Sequence, residues 1–142
     1  MSFEELPADW PQRPLTDADL TADVLDLLIS FADRRSGGLS IVVCDDQARL
    51  VQPTFMTEPA DSIPMADRPG IIDYWVDVAL HLEPKGGLLV SIVRSKGLSV
   101  TDDDREWCDI AARSCAGRIT LLGIHVVTME GSRPVPIKSQ AA

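Results

Sequence analysis

Leu88 to Val93 is an apolar run broken only by Ser91, with Gly86-Gly87 before it and the polar stretch Arg94-Ser95-Lys96 after it. So short and continuous a run reads as a β-strand buried on both faces, because a strand with one wet face alternates apolar with polar residues. The other segments supply what surrounds it.

Thr16 with Asp19 three residues on makes a capping box, and Leu20, Val24, Leu27, Leu28 and Phe31 recur at helical spacing up to Ser36-Gly37-Gly38. That spacing predicts helix A over 17–35. Leu39 to Cys44 and Leu50 to Thr57 flank the polar break Asp45-Asp46-Gln47-Ala48 and read as a hairpin, with Pro53 placing its second strand at an edge or bulging it there. Residues 58–70 are proline-rich loop. Helix B is expected over 70–83, with Ile72, Trp75, Val76, Ala79 and Leu80 on one face and an Asp77–His81 pair on another. Thr101, followed by Asp102, Asp103 and Asp104, opens helix C over 102–116. A strand at Ile119–Thr128 and a short proline-interrupted one at Val135–Ile137 complete the series. The arm 1–15, with Pro7, Pro11 and Pro14, reads as extended, and 138–142 as a tail. The expected fold is α/β (α+β): one domain over 16–137, a mixed β-sheet packed with about three helices.

With 45% apolar and 25% charged residues, a chain of 142 can bury a core without disulfides or structural metal. Thirteen Lys and Arg against 22 Asp and Glu give a net charge of −9, which repels phosphate backbones and anionic headgroups. Nucleic acid and membrane are therefore not expected partners. Cys44, Cys108 and Cys115 form no C-x-x-C pair and read as reduced, packed thiols. Asp45 and Asp46 beside Cys44 should raise its pKa. No export signal or long apolar segment is evident, so a cytoplasmic location is expected.

No dinucleotide or Walker fingerprint is present, and no cofactor is expected. Of the two histidines, His81 is expected on an exposed helix face and His125 half-buried and satisfied in a strand; neither has a Ser or Cys nucleophile fixed beside it. The best candidate for a ligand site is the 94–104 loop between a buried strand and a helix N-terminus. Arg94 and Lys96 bring positive charge there, and Ser95, Ser99 and Thr101 bring hydroxyls. Asp102, Asp103 and Asp104 at the same helix end oppose an anion. Asp104, three residues after Thr101, can close a capping box.

The segment from Leu39 to Gly131 resembles the JAB/MPN metalloprotease-like domain, most closely its RadC branch. The hairpin Ser40 to Val51, the buried strand Leu88-Leu89-Val90, Gly97, the hydroxyl residues Ser99 and Thr101, and Leu122-Gly123-Ile124-His125-Val126-Val127 carry the resemblance. It implies a JAB/MPN-like sheet with cytidine-deaminase-like layering over a core at 39–131. It also implies a strand ending in His-x-His and an Asp in the next helix. In the frame that ends at Asp104, Ser91 and Val93 stand where the two histidines would be, so the zinc ligands are absent and only Asp104 remains. Glu58 stands where the family's general acid/base would be, with no metal-bound water to activate.

These features lead to a non-catalytic JAB/MPN-like module that binds a protein partner or forms a homodimer. The alternatives are a metal-independent enzyme or a small-anion sensor, both using the 94–104 loop. The expected contact region is helix A with its arm, where Leu25 and Ile29 widen the apolar stripe and Asp17, Asp19, Asp23 and Asp26 give an acidic surface.

Overall fold

The computed structural model describes residues 6–137. Its elements are α1 (Ala18–Leu28), α2 (Phe31–Ser36), β1 (Gly38–Cys44), β2 (Leu50–Met56), α3 (Arg68–Leu82), β3 (Gly87–Val93), α4 (Asp102–Cys115), β4 (Thr120–Thr128) and β5 (Gly131–Pro134). The strands form one mixed sheet in the order β2-β1-β3-β4-β5. β1 is antiparallel to β2 and β3, β3 is parallel to β4 through the α4 crossover, and β5 turns back antiparallel on β4. This is the expected α/β class.

All seven residues of β3 are buried, because its two faces meet two different helical layers. Leu39, Ile41 and Val43 of β1, Leu88, Val90 and Ile92 of β3, and Ile124 and Val126 of β4 pack with Ile72, Val76 and Ala79 of α3 and Trp107, Ile110 and Ala111 of α4. The alternate residues Val42, Leu89, Val93 and Val127 pack with Leu15 and with Val24, Leu25 and Ile29 around α1. Each Val, Leu or Ile among them stabilises the fold by roughly 1.5–3 kcal/mol relative to leaving it exposed. β2 is an edge strand, as Pro53 predicts.

Helix A is two helices. Asp17, not Thr16, caps α1, and Ile29 leaves the helix in an extended conformation before Ser30 caps α2. The break is held by Arg34, only 2% exposed, whose guanidinium donates to the carbonyls of Ile29 (3.1 Å) and Asp26 (3.2 Å) and to the Asp26 carboxylate (3.0 Å). It also reaches Thr128 O at 3.4 Å, tying the break to β4. Carbonyls left without helical partners thus find a charged donor.

Other expectations change as well. The arm makes a 3-10 turn at Trp10–Gln12 and then buries Leu15; its residues 1–5, and the tail 138–142, lie outside the described residues. The last strand is Gly131–Pro134 rather than Val135–Ile137. Val135 N still donates to Ile124 O at 2.7 Å, but Pro134 and Pro136 have no N–H with which to continue the ladder. Asp77 pairs with Arg118 across to the end of α4, not with His81.

Candidate functional site

At the C-terminal end of β3, the segment before β1, the Pro59–Asp61 turn and the 94–104 loop enclose a cleft of about 440 Å³. Arg35, Asp61, Val93, Arg94, Thr101 and Asp103 are among its lining residues.

The loop is closed on itself. Gly97 adopts φ 94°, a left-handed conformation that an L side chain resists, and its carbonyl accepts from Arg94 Nε at 2.9 Å. Arg94 Nη1 and Nη2 grip the two oxygens of Asp104 at 2.6 and 2.9 Å, and Nη2 also donates to Ser99 O at 3.0 Å. Asp104, 1% exposed, completes a capping box with Thr101: Thr101 N donates to Asp104 Oδ2 (2.8 Å) and Asp104 N to Thr101 Oγ1 (3.1 Å). Burial alone would raise the Asp104 carboxyl. The hydrogen bonds from Arg94 and Thr101, with the charge of Arg94, outweigh it and hold the group below its ordinary value. Asp103 accepts from Arg68 at 2.7 Å, and the nearly buried Arg68 lies 4.7 Å from the centroid of the Trp107 ring.

Arg94, Ser95 and Thr101 therefore line the cleft, whereas Lys96 and Ser99 are exposed and outside it, Ser99 contributing only its carbonyl to Arg94. Every nitrogen of the Arg94 guanidinium is already engaged, so the strongest expected anion donor is committed within the loop. Of the positions that the resemblance aligns with metal ligands, Val93 lines the cleft, Ser91 is wholly buried on the sheet face that α1 covers, and Asp104 is clamped behind Arg94. A hydroxyl, a valine and a carboxylate in a bidentate ion pair do not fit a zinc ion. Among the described residues, no group of three or more His, Cys, Asp or Glu side chains is arranged to hold a metal. Glu58 is exposed and is not among the residues that line the cleft. Arg35 and Asp61 are cleft residues that local sequence patterns did not single out, because they come from segments separate from the 94–104 loop.

A buried polar row was also missed. Ser40, Ser91 and His125 are in register across β1, β3 and β4, on the face toward α1. The ring of His125 folds back over Gly123, where a Cβ would stand 3.2 Å from Cε1. Its Nδ1 and Ser91 Oγ are buried without a hydrogen-bond partner among the described residues, so His125 is half-buried as expected but not satisfied. Burial brings its pKa down to about 4. Because the unfolded chain protonates first, the stability tied to neutral His125 is complete above about pH 6.5 and falls as pH drops toward 4. Denaturant unfolding is expected to show a loss of about 2 kcal/mol between pH 7 and 5 that is absent from His125→Gln. Equal pH profiles for the two proteins would exclude this origin.

Cys44 and Cys115 are not activated. Burial, with the charge of Asp45 added, pushes Cys44 up to about 12, and burial raises Cys115 to about 11 despite Arg118 nearby. No helix among the described residues is long and apolar enough to cross a membrane. No family model, curated protein or solved structure matches the chain.

Proposed function

We propose that the chain is a non-catalytic, JAB/MPN-like binding module whose working surface is the exposed flank of α3. The carrying observation is the width of the apolar arc on that helix. Ile72, Val76 and Ala79 are buried against the sheet, and Ile71, Tyr74, Trp75, Val78 and Leu82 continue the arc around the adjoining flank, where Ile71 and Trp75 are partly buried against the core while Tyr74 is 60% and Leu82 43% exposed. An apolar arc that runs past the sheet-facing side of a helix leaves a flank that its own fold covers only in part. Tyr, Trp and Met are also the side chains that binding surfaces favour, and Met56 and Met65 flank this one.

The expected contact region on helix A is less well supplied. Most of its stripe packs on the sheet, leaving Leu27 and Phe31 exposed, and its acidic surface shrinks because Asp23 is buried and Asp26 pairs with Arg34. The enzyme and anion-sensor readings lack a free guanidinium in the 94–104 loop. A cytoplasmic setting fits three buried free thiols and a net charge of −9.

The test is a photo-cross-linking amino acid placed at position 74, with position 96 as the control, in cells that produce the full chain. An adduct with a polypeptide is expected from 74 and not from 96. Adducts from 96 alone, or from neither position, would overturn the proposal.

A further inference from the structure

We infer that the partner met by the α3 flank presents a basic segment, one of whose arginine side chains enters a cleft between Asp67 and Tyr74. This rests on the binding-module reading above and adds the chemistry of the partner.

The cleft, of about 550 Å³, opens along the N-terminal half of α3. Met56, Ile71, Tyr74 and Trp75 form its walls, and among the described residues that line it Asp67 is the one that carries a charge. The Tyr74 and Trp75 rings stand at 80° to each other with centroids 5.2 Å apart, and a hydrogen bond from Trp75 Nε1 to Met56 Sδ at 3.3 Å holds the indole in place. Two rings set at such an angle offer π faces to a cation from two directions. Asp67, Gly70 and Tyr74 follow at i, i+3 and i+7, so they share one stripe of the helix, with Asp67 and Tyr74 roughly 10 Å apart along its axis. Gly70 leaves the floor between them open, since a Cβ there would have no atom within 4 Å.

This lining calls for a positive group. The Asp67 side chain makes no capping hydrogen bond, and the neighbouring Arg68 is turned away to Asp103 at 2.7 Å. A carboxylate beside aromatic faces, in a chain of net charge −9, attracts a cation and repels an acidic partner. A guanidinium suits the site better than an ammonium. It is planar and weakly hydrated, so it can lie over Gly70 with its edge donating to Asp67 and its face against Tyr74, while its apolar stem covers Ile71 and Trp75. An ammonium is a compact, strongly hydrated charge with no flat face to lay on a ring.

The test is titration of the full chain with N-acetyl-arginine amide, followed through the NMR signal of the Trp75 indole N–H. A saturable shift is expected. Asp67→Asn and Tyr74→Ala should each raise Kd about threefold, the size of an exposed ion pair and of an exposed cation–π contact. The citrulline counterpart, close in shape but uncharged, should bind about tenfold more weakly, because it loses both. Asp46→Asn, which removes the same charge from the exposed turn between β1 and β2, should leave Kd unchanged. Raising the salt from about 50 to 500 mM should weaken the binding. No saturable shift, equal binding of the citrulline compound, or equal effects of Asp67→Asn and Asp46→Asn would overturn the arginine pocket. If the photo-adduct from position 74 still forms in that case, the binding-module reading stands without this partner chemistry; if it does not, both fall.

Discussion

Asp104→Ala is expected to lower the unfolding free energy by about 3 kcal/mol at neutral pH, well beyond a simple cap loss of about 1 kcal/mol. The excess comes from Arg94. A 1% exposed carboxylate holds both terminal nitrogens of the guanidinium, and charge-assisted bonds of this kind contribute about 1.5–3 kcal/mol. Arg94 itself is 27% exposed, so its charge is partly rehydrated when Asp104 is lost, which keeps the effect from growing larger. Denaturant unfolding of Asp104→Ala, Arg94→Met and the double variant should give a coupling of about 2 kcal/mol between the two positions. Because the Asp104 carboxyl is held below its ordinary value, its contribution is complete above the unfolded pKa and is lost only as pH falls through the lower folded one. Additive effects in the cycle would mean that the loop is held by something other than this pair.

Arg34→Met should destabilise by about 3 kcal/mol, the lower end of the range for breaking a buried ion pair. Methionine keeps much of the apolar stem, so the loss isolates the guanidinium. Three carbonyls, those of Asp26, Ile29 and Thr128, lose a donor, and the Asp26 carboxylate loses its ion pair with Arg34. Asp26 is 29% exposed and can regain water, which argues for the lower end. Hydrogen exchange should show the amides of α2 opening first, because Arg34 spans the break between α1 and α2 and the end of β4. An unchanged unfolding midpoint would show that apolar packing of α1 suffices to hold that corner.

The features legible in the sequence are those decided by neighbours along the chain. The hairpin around Asp45–Ala48, the edge position of Pro53 and the capping box of Thr101 with Asp104 need only a few residues of context, and all are present. The break after Leu28 is different, since its partner Thr128 O is supplied 94 residues away. The Ser40–Ser91–His125 row depends on strand register, which hydrophobic pattern constrains but local sequence does not number. In the 94–104 loop the residue types are legible and their pairing is not. Arg94 read as a hook for a ligand, and ten residues on it found Asp104 instead. On α3, Ile72, Val76 and Ala79 already account for an amphipathic helix, so the spacing alone does not mark the exposure of Tyr74 and Leu82 on the adjoining flank.

Proline stands at both borders of the sheet: Pro53 in β2, opposite Val42, and Pro134 in β5, opposite His125. A border strand with complete backbone donors is a template on which further strands can grow without limit, and each proline deletes a donor from that template. The molecule is thereby guarded against fibrous polymerisation at its open edges, and any assembly it makes is steered to helix surfaces, where contacts can close and stop.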